Sequence, residues 1–257
     1  MTHRFYLNDD WLFTEQFEDS LAAPEYPENT LQPVRLPHTC KETPFHYFDE
    51  SLYQMVSGYR RHLLIPKDWQ GKQILLTFEG AAHDSTVFCN GKKVGEHHCG
   101  YTAFTVDLTD NVLYGQDNLL CVRLDSRENL NVPPFGYVID YMTYGGIYRD
   151  VLLEVKEKVS FSDIFVHTAI DFSSSPVTAR ITSEITLTES AENVTIRQYY
   201  MPKSTAAAQE SWKLLCEQTV SADASCDKDI SLTATITAPL LWDTEEANLY
   251  ILKTQLY

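Results

Sequence analysis

Almost every apolar run in this chain repeats at every second residue, and a period of two commits a segment to a strand with one buried face. In Lys72-Gln73-Ile74-Leu75-Leu76-Thr77-Phe78-Glu79, the side chains of Ile74, Leu76 and Phe78 share one face. Leu120, Val122 and Leu124 alternate in the same way, as does Val151-Leu152-Leu153-Glu154-Val155. Thr86-Val87-Phe88-Cys89 runs into Asn90-Gly91 and then Lys92-Lys93-Val94. Asn-Gly tolerates the positive φ angles of a type I′ turn, so this stretch reads as a hairpin. No segment offers three helical turns with a cap at each end. Residues 205–215 come nearest, where Ala206-Ala207-Ala208 favours helix but Trp212-Lys213-Leu214-Leu215 suits a strand equally well. Many short strands joined by turns predict an all-β, antiparallel sandwich architecture.

Glycine divides the chain. All ten glycines lie at or before Gly146, seven of the eight histidines precede His167, and from about Lys156 the sequence turns rich in Ser and Thr with β-branched partners. Two domains are expected, 1–156 and 157–257. The first is long enough for a jelly roll with elaborate loops, and the second has the length and strand spacing of an immunoglobulin-like sandwich. The Cys…Trp…Cys spacing of antibody domains is missing from the second.

Charge narrows the partners. With 36 acidic against 20 basic residues the formal charge is −16, and no basic stripe is available to replace phosphate counterions, which argues against nucleic acid. No run of eighteen apolar residues spans a membrane, and the start Met1-Thr2-His3-Arg4-Phe5-Tyr6 lacks the pattern of a signal peptide. A cytoplasmic location is therefore expected. In that setting Cys40, Cys89, Cys99, Cys121, Cys216 and Cys226 read as reduced thiols, although Cys216 and Cys226 could face each other across a hairpin. Asn193-Val194-Thr195 fits a glycosylation sequon by chance.

Catalytic patterns are scarce. The pairs Asp9-Asp10 and Glu245-Glu246 would point to opposite faces of a strand and cannot jointly flank a glycosidic bond, so they read as solvated surface acids. His97-His98-Cys99, with His83 nearby, offers ligand types for a metal, but adjacent side chains on a strand diverge and a site needs three or four that converge. No nucleophile elbow, phosphate loop or dinucleotide fingerprint occurs. From the residues alone, this is a two-sandwich protein without visible catalytic machinery.

A series of motifs adds a resemblance. Leu7-Asn8-Asp9-Asp10-Trp11-Leu12-Phe13, Val34-Arg35-Leu36-Pro37-His38-Thr39, Gly58-Tyr59-Arg60-Arg61, Ile65-Pro66-Lys67-Asp68-Trp69-Gln70-Gly71-Lys72, Phe78-Glu79-Gly80, Asn90-Gly91-Lys92-Lys93-Val94-Gly95, Gly100-Tyr101-Thr102-Ala103-Phe104 and Gly145-Gly146-Ile147-Tyr148-Arg149-Asp150-Val151 follow one another. Leu241-Trp242-Asp243 with Asn248-Leu249-Tyr250 closes the series. Each is weak alone; together and in order they resemble the front end of family 2 glycoside hydrolases, most closely the β-galactosidase type.

The resemblance implies a jelly-roll sugar-binding domain and an immunoglobulin-like domain, followed in the family by a (β/α)₈ barrel that carries both catalytic glutamates. This chain stops before the barrel. It is expected to be a non-catalytic N-terminal fragment, inactive alone, with carbohydrate as its partner through the full-length enzyme. No cofactor is expected in this fragment; the full enzyme's cofactors and its homo-oligomeric state stay open. Asp140 matches an aspartate that reaches the active site and accepts sugar hydroxyls, a role suited to a charged acceptor. A turn-capping acid or a partner of Arg149 are the structural alternatives. Tyr137 and Tyr141 are its expected companions in a loop, residues 129–144, that is long for a sandwich connection. The family's second sugar contact, an asparagine, has no counterpart between Thr43 and Gly58; Phe45, His46 and Phe48 occupy that region. Arg149 is expected to make ion pairs at a domain junction. Competing readings are a β-glucuronidase or other family 2 fragment, a free-standing carbohydrate-binding module presenting Tyr137, Tyr141 and Tyr144, and a purely structural protein.

Overall fold

The computed structural model describes residues 3–46, 49–133, 135, 141–189, 193–203, 212–220 and 229–257. It divides into two compact units, Met1–Glu157 and Lys158–Tyr257. Neither unit contains an α-helix among the described residues, and no helix is long and apolar enough to cross a membrane. The ambiguous stretch 205–215 is described only from Trp212, and Lys213–Val220 is a strand.

The first unit holds β1 (His3–Tyr6), β2 (Trp11–Thr14), β3 (Gln32–Val34), β4 (Val56–Ile65), β5 (Gln73–Phe78), β6 (Asp84–Cys89), β7 (Lys92–His97), β8 (Phe104–Asp107), β9 (Gln116–Asp125) and β10 (Val151–Lys156). They form a six-stranded sheet, β3-β2-β4-β9-β6-β7, and a four-stranded sheet, β1-β10-β5-β8, antiparallel throughout. This is the jelly-roll sandwich. Its core is the alternation seen in the sequence: Ile74, Leu76 and Phe78 of β5 meet Leu120, Val122 and Leu124 of β9, all fully buried. Each such side chain contributes about 1.5–3 kcal/mol by leaving water. The Asn90-Gly91 turn has φ of 50° and 79°, the two positive angles a type I′ hairpin needs, and Cys89 pairs with Lys92 across it.

The second unit is the immunoglobulin-like sandwich. Its sheets are β11 (Phe161–Asp171), β12 (Thr178–Leu187) and β15 (Asp229–Thr237), in the order β11-β12-β15, and β13 (Val194–Pro202), β14 (Lys213–Val220) and β16 (Tyr250–Leu256), in the order β14-β13-β16. Ile185, Leu187, Ile196, Ile230 and Leu232 pack between them. Gln198 sits inside this core with its amide satisfied: Nε2 donates to Ser183 Oγ at 2.9 Å and to Thr254 Oγ1 at 3.1 Å. Cys216 is a free thiol that donates to Gln198 Oε1; Cys226 lies outside the described residues. Burial lifts the thiols of Cys40 and Cys89 to about 11 and that of Cys121 to about 12, which keeps them protonated and unreactive.

A charged cluster ties β4 to the turn at Asp19–Ala22. Arg60 is 1% exposed, and its guanidinium holds Glu28 at 2.9 Å and the carbonyls of Leu21 and Ala23. His62 continues the cluster at the surface, 3.0 Å from Glu28 Oε1 and 2.5 Å from Asp117 Oδ2. Burial alone would lower the imidazole pKa, but Asp117 and Glu28 outweigh it and hold it above the ordinary value. The charged ring therefore binds its proton more tightly in the folded state. Its stabilising contribution is complete below the unfolded pKa of about 6.5 and is lost as pH rises through the higher folded value. Denaturant titrations of His62→Gln should show a flatter stability profile than the parent from pH 6 upward; parallel profiles would rule the linkage out.

Candidate functional site

The node of the first unit is residues 145–151, where motifs distant in sequence meet. Leu7 N–H donates to the Val151 carbonyl, His38 N–H to Ile147, Cys40 N–H to Gly145, Glu79 N–H to Asp150 and Ala82 N–H to Gly146, all between 2.8 and 3.0 Å. Asn8 closes the node: its Nδ2 donates to Asp150 Oδ1 at 2.8 Å and its Oδ1 accepts from Val151 N–H at 3.1 Å. Every one of these bonds is structural. Arg149 departs from expectation: among the described residues it makes no ion pair, and its guanidinium lies over the Tyr148 ring at 5.4 Å from the centroid. Its stem packs against the backbone at Gly80, which turns the charge toward that ring.

From this node a loop leaves at Ser126 and returns at Gly145. Its base is held on both sides. Ser126 N–H and Oγ both donate to the Met55 carbonyl, at 3.0 and 3.1 Å, and Oγ also engages the Tyr53 carbonyl. Glu128 N–H donates to Gln54 Oε1 at 2.7 Å. Glu128 Oε1 accepts from Thr143 Oγ1 at 3.0 Å, which joins the outgoing chain to the returning one. Asn129 Oδ1 accepts from the amides of Asn131 and Val132, an Asx turn that starts the excursion.

Tyr141 stands on the returning side, 55% exposed, with its ring edge-on to Tyr101 at 6.4 Å. Tyr144 is also exposed and packs edge-on against Tyr53 at 5.2 Å. Asp140 and Tyr137 lie outside the described residues, as does Phe48; Phe45 is exposed with its ring edge-on to His46. Tyr101 joins Tyr141 here although it entered the sequence reading only as part of a motif. A tyrosine in the connection between two strands, where no core position demands one, was the available signal. Its phenol is held above the usual range by burial and by Tyr141.

Behind Tyr101 lies His83, 2% exposed, its ring 6.4 Å from the Tyr101 ring. Among the described residues neither ring nitrogen has a hydrogen-bond partner, and Glu128 Oε2 is likewise buried without one. Burial pushes the His83 pKa down against the pull of Glu128 and Asp125, so the ring is neutral at pH 7. Asp125 is committed: Arg127 grips both its oxygens at 2.8 and 2.6 Å and Arg123 adds a third bond at 3.0 Å. These bonds hold its carboxyl below the usual range despite its burial.

The remaining candidates separate. His97 bonds Thr102 at 2.8 Å and stacks on Phe104, whereas His98 pairs with Asp84 at 3.1 Å, so the two diverge as strand neighbours must. No group of three metal-ligating side chains converges among the described residues. Asp9 is exposed and paired with Arg35 at 2.6 Å. The backbone amides of Glu245 and Glu246 both donate to Asp243 in an exposed turn. An apolar cavity of about 650 Å³ in the second unit, lined by Phe172, Leu241, Trp242, Leu249 and Tyr250, offers no paired carboxylates.

The family model for glycosyl hydrolases family 2, sugar binding domain, matches residues 7–157. The chain belongs to glycosyl hydrolase family 2. Within that family it is 39% identical to a beta-galactosidase of Thermoanaerobacter pseudethanolicus over 159 residues, 62% of this chain and 21% of that protein. It is 28% identical to a beta-glucuronidase of Bacteroides fragilis over 249 residues, 92% of this chain and 33% of that protein. The fold superimposes on the crystal structure of Bacteroides uniformis beta-glucuronidase with a TM-score of 0.78 at 24% identity, covering all of this chain and 30% of that one. This family 2 chain thus spans about a fifth to a third of the length of the curated relatives it matches.

Proposed function

We propose that this chain is the non-catalytic N-terminal part of a β-galactosidase-type family 2 enzyme, and that it lends the loop of residues 129–144 to a sugar site. Hydrolysis of a glycosidic bond needs two carboxyl groups flanking it. In the first unit Asp125 is taken up by Arg123 and Arg127, and Glu28 by Arg60 and His62. The family 2 resemblance assigns the catalytic carboxylates to the part of the family's length that this chain does not span, and the chain alone is expected to be inactive.

The observation that carries this reading is the loop itself, anchored at Glu128–Thr143 and presenting Tyr141 to solvent beside Tyr101. An exposed aromatic pair offers apolar ring faces to a pyranose, and a carboxylate such as Asp140 accepts its hydroxyls. Tyr137 completes the contact set.

One consideration favours a galactoside over a glucuronide: identity is 39% over 159 residues to the beta-galactosidase, against 28% over 249 residues to the beta-glucuronidase. The glucuronidase reading draws on an alignment that reaches 92% of the chain. Steady-state kinetics of the complete enzyme on aryl β-galactoside and aryl β-glucuronide separate the two: kcat/KM is expected to favour the galactoside by at least ~100-fold. Preference for the glucuronide would overturn the assignment.

A further inference from the structure

The loop that leaves the first unit at Ser126 is closed by a contact with no part in the core. Glu128 and Thr143 are fifteen positions apart, and the hydrogen bond between their side chains, 3.0 Å, links the two arms of the loop. One step further in, Gly145 lies so close to Ser126 that a Cβ would stand 2.5 Å from the serine Cβ. The arms therefore touch twice, once through backbone packing and once through a carboxylate and a hydroxyl. Glu128 is pinned in turn, because its own N–H is held by Gln54 Oε1 at 2.7 Å. Thr143 is buried, and Tyr141, two residues along, is exposed.

We propose that Glu128 and Thr143 are positioning residues: their hydrogen bond fixes the returning arm so that Tyr141 is held against Tyr101 in the sugar site. The functional half of this statement rests on the proposed reading of the loop as sugar-contacting. Two features argue for placement over mere stability. The bond joins loop arms outside the paired strands, where neither the ladders of β9 with β4 and β6 nor those of β10 with β1 and β5 need or support it. The carboxylate is also kept where its second oxygen is buried and unpartnered, facing a neutral His83 whose nitrogens are equally unpartnered. A buried charge with an unmade bond is costly, and native proteins keep such groups mainly where they serve a ligand or mechanism. Without the Thr143 donor, this carboxylate would lose the one side-chain partner that holds it across the neck.

Thr143→Val keeps the shape and removes the donor, whereas Glu128→Gln keeps an acceptor oxygen for Thr143 and removes the charge. Hydrogen exchange on the 257-residue chain should show the amides of residues 129–132 and 141–144 opening about tenfold faster in Thr143→Val, the change expected for one hydrogen bond to a charged group. Amides in β5, β9 and β10 should stay at the parent rate, and Glu128→Gln, which still accepts from Thr143 but without the charge, should open more slowly than Thr143→Val. In the complete enzyme, Thr143→Val should raise KM for an aryl β-galactoside several-fold with kcat little changed. Unchanged exchange in Thr143→Val, equal acceleration in the core strands, or a Glu128→Gln variant as loose as Thr143→Val would overturn the clamp. If Thr143→Val loosens the arms but neither it nor Asp140→Ala alters KM or kcat, the clamp stands and the sugar-site reading of the loop fails.

Discussion

Gly146→Ala is expected to cost the first unit on the order of 4–5 kcal/mol or more, at the upper end of what a single substitution does. Gly146 has φ of +130°, which side-chain-bearing residues rarely adopt. A Cβ there would also stand 2.3 Å from the His38 carbonyl oxygen and 2.9 Å from the Thr39 Cα. Both obstacles are backbone, so no rotamer change relieves them. The backbone at residues 38–40 or 145–147 would have to move, and with it the bonds that join Ala82 to Gly146, Cys40 to Gly145 and His38 to Ile147. Thermal unfolding should fall by about 10–20 °C, or the variant should be recovered unfolded. Gly71→Ala supplies the control. Gly71 has φ of +90° but nothing within 4 Å of the place a Cβ would take, so only the backbone preference is lost, about 1–2 kcal/mol. Equal losses in the two variants would show that Gly146 is required for its dihedral alone and that the node at residues 145–151 is not sterically closed.

That glycine shows how far the sequence could be read. Strands were legible because burial on one face writes a period of two: Ile74, Leu76 and Phe78 stand in the core as the alternation requires. The Asn90-Gly91 turn was legible because few residue pairs accept two positive φ angles. Gly145-Gly146 could be seen to permit a close approach, but not to which element, since His38, Thr39, Cys40 and Ser126 converge on it only in the fold. The same limit applied to Arg149, whose charge suggested ion pairs and whose surroundings supply the ring of Tyr148 instead. His83 drew notice as a metal ligand beside His97 and His98. It is buried away from both, because the sheet directs those two outward to Thr102 and Asp84. Long-range pairings such as Glu128 with Thr143 and Asn8 with Asp150 leave no periodic trace, and they decide how the loop is held.

The largest functional effect is expected at Asp140. It lies outside the described residues, and its assignment follows from the motif it precedes and from its neighbour Tyr141, which the structure sets beside Tyr101. A hydrogen bond to a charged group contributes about 1.5–3 kcal/mol, and a carboxylate accepting two sugar hydroxyls stands at the upper end of that range. Removing it should lower kcat/KM by ~100-fold, while the stability of the first unit stays near that of the parent. Asp140→Asn, which keeps one acceptor and loses the charge, should fall between the two.

The most direct test is kcat/KM of the complete enzyme and its Asp140→Ala variant on an aryl β-galactoside, with thermal unfolding measured on the same samples. A ~100-fold loss at unchanged melting temperature is the expected result. Undiminished activity in a folded Asp140→Ala enzyme would contradict the claim that this chain completes the sugar site.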